Sequence, residues 1–260
     1  VKVGATSDGQ LIAGEAWIAF EAGAYTGSPI APACMCAFAS YDLPHGRVDG
    51  FDVCVNKPRS NAYRAPGATQ AAFAVETLID ELCARIDMDP VEFRLRNGAH
   101  EGTRRVDGPV FARVGMLETV EAIQQSDHYQ SPLDGKHRGR GVATGFWFNA
   151  GLRSSVSATV NADGTVALVE GSPDIGGTRA SIAMQLAETL GIAAEDVNPT
   201  VADTDSVGYT DVTGGSRVTF STGIAAVEAA RDIQRQLVQR AALVWDVDPG
   251  DVRYDDGGAV

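Results

Sequence analysis

The C-terminal half of the sequence repeats one pattern, in which an apolar, strand-like segment is followed by a glycine-rich turn and then by an amphipathic helix. The first copy is VALVEGSPDIGGTRASIAMQLAETLGI, and the second runs from DVNPTVADTDS through TDVTGGSRVTF into STGIAAVEAARDIQRQLVQRAAL. In each copy, a short run of β-branched and apolar residues predicts a strand, the paired glycines predict a loop, and apolar residues at helical spacing predict a helix. The repeat therefore favours a lobe in which helices pack against strands.

In the N-terminal half, apolar and polar residues first alternate, as in a strand, and apolar residues later recur at helical spacing. Residues 1–25 predict a hairpin that turns at Ser7-Asp8-Gly9, and residues 49–56 predict a further strand. An irregular loop, NKPRSNAYRAPG, should then lead into a helix over Ala68–Ile86. The apolar residues that we place at helical spacing on that helix, opposite its acidic residues, are Phe73, Leu78, Leu82 and Ile86.

A second helix should start at Asp89-Pro90, with the aspartate as cap and the proline in the first turn, and should end at Asn97-Gly98. The polar residues that follow carry one short helical stretch, MLETVEAIQQ, and predict a connection between two lobes. The domain prediction is a first lobe at 1–100, a connecting segment at 101–138 and a second lobe at 139–260.

Two further hairpins are predicted in the second lobe. The first turns at Asp163-Gly164, between SSVSATV and TVALVEG. The other is formed by DVRYDDGGAV, which has a strand and a turn at Asp256-Gly257 but, by our interpretation, no returning strand. Because an unpaired strand leaves its backbone polar groups unsatisfied, we expect the chain to be a truncated piece of a longer protein.

Composition excludes several classes of function. With 44% hydrophobic residues in 260, the chain can bury a core, and its net charge of -13 makes nucleic acid and anionic membrane surfaces poor partners. No apolar run approaches the roughly 20 residues of a membrane helix, so we expect a soluble, cytoplasmic protein. Cys34, Cys36, Cys54 and Cys83 form no paired CxxC set, and we predict no metal bound by side chains, with Cys83 a small buried hydrophobe.

The two glycine-rich turns are candidate anion-binding sites. A turn before a helix presents free backbone N–H groups and the positive end of the helix dipole, which suit a phosphate. The candidate residues are Gly176, Gly177 and Thr178 in the first turn, and Gly214, Gly215, Ser216 and Arg217 in the second. Neither turn has the spacing of a P-loop or a dinucleotide fingerprint. Ordinary tight turns therefore remain an open alternative.

Two more features have both a structural and a functional interpretation. Arg64 lies in the loop NAYRAPG before a helix, so it is either a surface or capping residue, or a rigidly held guanidinium that binds an oxyanion or a polarised carbonyl. The aromatic run Phe146-Trp147-Phe148 is either core or the wall of a pocket for a flat substrate. No Ser/His/Asp set and no HExxH motif is present.

Three long motifs together resemble one family. NAYRAPGATQAAFAVETLIDELCARIDMDPVEFRLRNG, DGTVALVEGSPDIGGTRASIAMQLAETLGI and VADTDSVGYTDVTGGSRVTFSTG occur in the order found in the large subunits of molybdenum hydroxylases of the xanthine dehydrogenase, aldehyde oxidase and carbon monoxide dehydrogenase family. The resemblance covers nearly the whole chain. It implies an α+β fold with two lobes of mixed β-sheet and packed helices, each lobe being part of a molybdopterin-binding domain.

The resemblance also implies an activity and its partners. Family members carry molybdenum-molybdopterin, often as the cytosine dinucleotide in bacteria, and hydroxylate an aldehyde or aromatic heterocycle with oxygen from water. Electrons leave through iron–sulfur clusters to FAD, which implies an iron–sulfur subunit, an FAD subunit and the remainder of the molybdopterin subunit as partners. By similarity Arg64 is the catalytic arginine beside the metal, Phe146 and Trp147 line the substrate, and the two glycine turns contact the cofactor.

The sequence departs from the family pattern at several points. Gly177 stands where many relatives have a glutamine, so a backbone contact to the cofactor must replace a side-chain contact. Ala65 follows the loop arginine where the carbon monoxide-oxidising branch has cysteine, which argues against a copper–molybdenum site. The upstream glycine loop and the downstream glutamate base have no counterpart. We therefore expect this chain by itself to be inactive or nearly so.

Two alternatives to a hydroxylase remain open. A non-catalytic binding or structural module of the same ancestry would keep the fold and no longer hold the cofactor. An unrelated α+β domain would bind a nucleotide phosphate at facing glycine loops without Arg64 nearby. The hydroxylase hypothesis instead predicts that Arg64, Phe146 and both glycine loops converge on one cleft.

Overall fold

The computed structural model describes residues 1–201 and 205–260, which combine small mixed sheets with packed helices. They form two compact units, Val1–Trp147 and Phe148–Val260. Strands and helices alternate within both units, so the described residues have an α+β architecture. The lobe boundaries predicted from sequence stay a prediction. In the described residues, no helix is both long enough and apolar enough to cross a membrane.

The first unit contains a three-stranded sheet. Strand β1 (Lys2–Ala5) pairs antiparallel with β2 (Leu11–Gly23), which confirms the predicted N-terminal hairpin. Strand β3 (His45–Cys54) pairs in parallel with β2, with Ala13 opposite His45. The strand predicted at residues 49–56 therefore exists, but it begins and ends earlier in the sequence.

Five helices belong to the first unit: α1 (Ile30–Cys36), α2 (Ala68–Ile86), α3 (Pro90–Asn97), α4 (Met116–Gln124) and α5 (Asp127–Gln130). Helix α2 has the predicted bounds, and α3 has the predicted cap. An Asp89 carboxylate oxygen accepts hydrogen bonds from the amides of Val91 (2.8 Å) and Glu92 (3.0 Å). These bonds satisfy two of the amide groups that a helix start leaves without a partner.

The buried face of α2 was predicted only in part from the sequence, since Leu82 and Ile86 do pack against the core. Phe73 is 77% exposed, so its predicted place on the apolar face is wrong. The face that enters the core consists of Ala71, Val75, Ile79 and Cys83. These smaller side chains allow α2 to approach the sheet and α1 closely. Burial of Cys83 confirms its predicted role, and burial also raises the pKa of its thiol to about 11.

A buried ion pair joins α2 to α3. The Arg94 guanidinium, which has no exposed surface, donates to one Glu76 carboxylate oxygen through Nε (2.9 Å) and Nη2 (2.7 Å). The same carboxylate accepts from the Tyr41 hydroxyl (2.5 Å) and from the amide (2.7 Å) and hydroxyl (3.0 Å) of Thr144. The sequence pattern predicted that the acidic residues of α2 face outward. Glu76 is instead buried, and it links α2 to Tyr41, to Arg94 on α3 and to Thr144.

The described residues of the second unit include a three-stranded sheet, two main helices and a short C-terminal hairpin. Its elements are β4 (Val156–Val160), β5 (Val166–Glu170), α6 (Thr178–Leu190), β6 (Val197–Val201) and α7 (Gly223–Trp245). Strand β5 pairs antiparallel with β4, as the predicted hairpin requires, and in parallel with β6. The first part of the strand predicted over DVNPTVADTDS is observed as β6. The prediction also covers residues 202–204, which lie outside the described residues.

The predicted absence of a returning strand at the end of the chain is wrong. Strand β7 (Tyr254–Asp255) turns through Asp256-Gly257 and pairs antiparallel with β8 (Gly258–Ala259). Asp256 and Gly257 both have positive φ, as a tight two-residue turn requires. The returning strand is only two residues long. Strands are recognised in a sequence from runs of four to eight residues, so a strand this short leaves no recognisable pattern.

Replacing Arg94 by Met should destabilise the first unit strongly, because the Glu76 carboxylate would remain buried without its cation. Removing one partner of a buried ion pair typically costs about 3–5 kcal/mol. The exposed pair of Arg85 and Glu81, 4.0 Å apart on the same helix, provides a matched control. Urea unfolding should show a large loss for Arg94→Met and a change within about 0.5 kcal/mol for Arg85→Ala. Equal urea midpoints of unfolding for the two variants would contradict the claim that the buried pair of Arg94 and Glu76 stabilises the first unit.

Candidate functional site

The first glycine loop connects β5 to α6 and has an open surface. Gly176 (φ +60°) and Gly177 (φ +90°) adopt backbone conformations that favour glycine. A Cβ atom added to either residue would meet no atom of the described residues within 4 Å. The loop is therefore shaped by its glycines and leaves room beside them for another molecule.

Most of the first-turn amides of α6 have partners within the loop. The Arg179 amide donates to the Asp174 carboxylate (3.2 Å), and the amides of residues 180 and 181 donate to the Gly177 carbonyl (3.1 and 3.3 Å). The Thr178 hydroxyl accepts from the Ile175 amide (2.9 Å), so this predicted cofactor residue braces the loop. Within the described part of the chain, the amides of Gly176 and Gly177 donate to no acceptor. These two amides are the donors that the loop offers to a ligand.

The second glycine loop precedes a five-residue π-helical turn, Val218–Thr222, that leads into α7. Such turns are rare in proteins and occur frequently at functional sites. The Ala150 amide donates to the Gly215 carbonyl (2.8 Å), and the Asn149 amide group donates to the Ser216 carbonyl (3.1 Å). A Cβ on Gly215 would lie 2.5 Å from the Ala150 Cβ, which explains why glycine is needed there.

The donors of the second loop are also free. Within residues 1–201 and 205–260, the amides of Gly214, Gly215 and Ser216 donate to no protein acceptor. A Cβ added to Gly214 would meet no atom of residues 1–201 or 205–260 within 4 Å. The second loop thus resembles the first in combining an open surface with backbone donors that have no protein partner.

The side chain of Arg217 points into the protein. It is fully buried and donates to the carbonyls of Gly151 (2.9 Å), Arg153 (2.5 Å) and Asp211 (3.1 Å), and to the Ser154 hydroxyl. The resemblance to the family predicts that Arg217 contacts the cofactor, and that role stays a prediction. In the structure its guanidinium holds the loop in shape and places a positive charge beneath it.

A buried carboxyl group near the first loop was not predicted. Glu170, the last residue of β5, has no exposed surface, and neither carboxyl oxygen has a partner among the described residues. Burial and the neighbouring charge of Asp174 raise its pKa to about 7, while Arg179 opposes the shift. The strand period could have revealed it, because Val166, Leu168 and Glu170 lie on one face and all three are buried.

Arg64 is exposed at the start of the turn that precedes α2. Its guanidinium has no hydrogen bond or ion pair with the described residues. The next residue, Ala65, has a positive φ of 52°, and Gly67 (φ +83°) packs directly against the backbone of residues 29 and 33. The turn is therefore fixed by its backbone while the arginine side chain remains available.

Phe146 packs within the first unit. Its ring meets that of Phe111 edge-on, with centroids 5.5 Å apart, and the Arg105 guanidinium carbon lies 5.0 Å from its centroid. Both Phe146 and Trp147 are half-buried. A groove of about 380 Å³ runs beside this segment and is lined mainly by α4 and residues 143–146. Phe146 thus has the packing partners of a core residue and one side on a groove.

The predicted site residues divide between the two units. Arg64, Phe146 and Trp147 belong to the first unit, and both glycine loops belong to the second. Convergence of all of them on one cleft therefore stays a prediction. Within the second unit, the first loop directly follows β5, and the second loop comes later in the chain after β6, the parallel neighbour of β5. Ligands of such sheets bind beyond the carboxyl ends of the strands. No cluster of three metal-ligating side chains occurs among the described residues.

Comparison with known families identifies this arrangement. Models of the molybdopterin cofactor-binding domain match residues 1–98 and residues 115–260. The chain belongs to this family. It is part of a molybdenum-cofactor-binding subunit of the xanthine dehydrogenase and aldehyde oxidase type, as the sequence motifs had predicted.

Individual relatives agree with this assignment. The chain is 28% identical over 204 residues to the xanthine dehydrogenase molybdenum-binding subunit of Escherichia coli O157:H7, covering 73% of this chain and 27% of that protein. It is 26% identical over 290 residues to the nicotine 6-hydroxylase large subunit of Paenarthrobacter nicotinovorans, covering 100% of this chain and 35% of the relative. The chain thus spans about a third or less of these relatives.

A solved structure has the same fold. The quinoline 2-oxidoreductase of Pseudomonas putida superimposes with a TM-score of 0.82 over 99% of this chain and 36% of that one, at 22% identity. At this identity the likeness concerns the fold alone. It confirms the predicted α+β class.

Glu170 should make the stability of the protein depend on pH. Its pKa of about 7 in the folded protein exceeds its ordinary value of 4.5, so the folded state binds more protons between these two values. Stability from this group is complete below about pH 4.5 and is lost as the pH rises through about 7, by up to about 3 kcal/mol. Glu170→Gln should remove this loss.

The test is urea unfolding at pH 5 and pH 7.5, with the exposed Glu188→Gln on α6 as control. The wild-type protein and the control should lose more stability between these pH values than Glu170→Gln does. Parallel pH dependence in all three proteins would show that Glu170 titrates as an ordinary carboxyl.

Proposed function

We propose that this chain forms part of the large subunit of a molybdenum hydroxylase that oxidises an aldehyde or an aromatic heterocycle with water as the oxygen source. Its own contribution is part of the cofactor and substrate pocket. The observation that carries the proposal is a set of five backbone amides that have no acceptor among the described residues: Gly176, Gly177, Gly214, Gly215 and Ser216. Backbone amides arranged in this way bind phosphate and other anionic oxygens.

The described residues fit a phosphate-bearing pterin cofactor. Open space beside Gly176, Gly177 and Gly214 would be filled by any side chain, and the positive charge of Arg217 lies beneath the second loop. Gly177 offers an amide where many relatives have a glutamine side chain. When bound, the cofactor would supply the redox centre at which the substrate carbon is hydroxylated.

Arg64 is the proposed catalytic residue. Its exposed guanidinium stands on a fixed turn with no protein partner among the described residues, so it can bind an oxyanion without first breaking an ion pair. Stabilisation of developing negative charge by such a group is typically among the largest contributions to catalysis. Phe146 and Trp147 are the proposed walls for a flat substrate, beside the groove of the first unit.

The proposed partners follow from the family. They are the remaining part of the molybdopterin subunit, an iron–sulfur subunit and an FAD subunit, and the cytosine dinucleotide is the proposed form of the cofactor. Since this sequence has no counterpart of the glutamate base, we propose that the chain is inactive until the remainder of the subunit is present. A non-catalytic module is disfavoured, because both halves of the chain match the cofactor-binding models and the glycine loops remain open.

The double variant Gly176→Ala/Gly177→Ala should lose the cofactor and keep the fold. Alanine at positive φ costs roughly 1–2 kcal/mol per residue, and the new methyl groups would occupy the space beside the free amides. Gly164→Ala is a matched control, since that glycine also has positive φ (+87°) and open space around its Cβ position but lies in the β4–β5 turn. The measurement is molybdenum and pterin content after co-expression with the partner segments.

The proposal expects full content in the wild-type protein and in the Gly164 control, and strongly reduced content in the double variant. Absence of molybdenum and pterin from the wild-type assembly would favour a module that has lost the cofactor. Full content in the double variant would show that the first loop does not hold the cofactor.

A further inference from the structure

A row of three hydroxyl groups, two of them on fully buried residues, connects the segments beside the two glycine loops of the second unit. The Thr222 hydroxyl lies 2.8 Å from the Ser172 hydroxyl and 2.8 Å from the Ser154 hydroxyl. Ser172 precedes the first loop, and Thr222 ends the π-helical turn after the second. Thr222 and Ser172 have no exposed surface. A side chain of the turn that follows the second loop is therefore bonded directly to the segment that leads into the first loop.

The row ends at a charged group. The Arg217 guanidinium donates to the Ser154 hydroxyl, and a guanidinium can only donate. Its positive charge polarises the hydroxyl groups next to it, and hydrogen bonds in a chain strengthen one another. The four side chains Arg217, Ser154, Thr222 and Ser172 thus form one connected unit, and three of them are completely buried.

Helix packing reinforces the same connection. Gly223 follows Thr222 directly and starts α7, and a Cβ at this position would collide with the Gln185 side chain of α6. The Gln185 side chain also donates to the Thr219 carbonyl in the π-helical turn (3.4 Å). Helices α6 and α7 therefore touch close to Thr222, which limits independent movement of the loops that precede them.

We propose that Thr222 is a positioning residue that holds the two glycine loops at a fixed spacing, so that their free amides form a single binding site for a phosphate or pyrophosphate group. The inference rests on the proposed function and adds how the two loops act together. A loop that is already held in its binding conformation does not have to be ordered when the ligand arrives, which increases affinity. Loss of the Thr222 hydroxyl would leave each loop to bind separately.

The test is a titration of the full chain with inorganic pyrophosphate, followed by NMR at the amides of Gly176, Gly177, Gly214 and Gly215. In the wild-type protein all four signals should move with one common dissociation constant. Thr222→Val keeps the side-chain shape and removes the hydroxyl, so it should weaken binding about tenfold and give the two loops different constants. Thr222→Ser should restore the single constant, which a purely steric role of the residue would not predict.

Two further variants separate positioning from stability. Thr189→Val removes a half-buried hydroxyl of α6 whose only partner among the described residues is the Gln185 carbonyl (2.8 Å), and it should leave pyrophosphate binding unchanged. Ser172→Ala breaks the row at its other end, so it should reproduce the effect of Thr222→Val even if the latter does not fold. Thermal unfolding of each variant shows whether the protein is folded during the titration.

Each outcome has a distinct meaning. A common constant of wild-type size in both Thr222→Val and Ser172→Ala would overturn the positioning role and leave the proposed function intact. Movement of only one loop in the wild-type protein would overturn the single site. If pyrophosphate moves neither loop in the wild-type protein, the proposed phosphate-holding role fails together with this inference.

Discussion

The buried guanidinium of Arg217 fixes the shape of the second glycine loop and of the segments bonded to it. Removing such a cation from water is unfavourable unless its N–H groups find acceptors. Here three carbonyls and one hydroxyl supply them, which brings residues 151–154 and Asp211 to one point. Because a side chain holds the loop, the amides of Gly214, Gly215 and Ser216 need not bond within the protein.

The first unit uses a buried charge in a similar way. Glu76 binds Arg94, Tyr41 and Thr144, and Thr144 belongs to the irregular segment that leads to Phe146. Irregular segments lack the regular bonds of helices and sheets, so a multivalent side chain can hold them in place. In each unit, one segment proposed to contact cofactor or substrate is held by a buried charged side chain: the second glycine loop by its own Arg217, and the residues before Phe146 by Glu76. These anchors explain how open loops can remain rigid.

Periodicity and capping residues predicted most of the helices and strands. Whether a charged side chain is buried depends instead on partners that are distant in sequence. The bounds of α2 and the Asp89 cap of α3 follow from periodicity and capping residues close in sequence. The glycine loops were located for the same reason. Burial of Glu76 and Arg217 depends on residues about 20 to 70 positions away, which no local pattern contains. Glu170 is the exception, because its strand phase placed it on the buried face.

Family membership and free loop amides together support one central claim, that the glycine loops of this chain hold the molybdopterin cofactor. The most direct test is a crystal structure of the assembled, cofactor-loaded subunit. The account predicts that the amide nitrogens of Gly177, Gly214 and Gly215 lie within about 3.2 Å of cofactor oxygen atoms. A cofactor bound elsewhere, with these amides facing solvent or another protein segment, would contradict it.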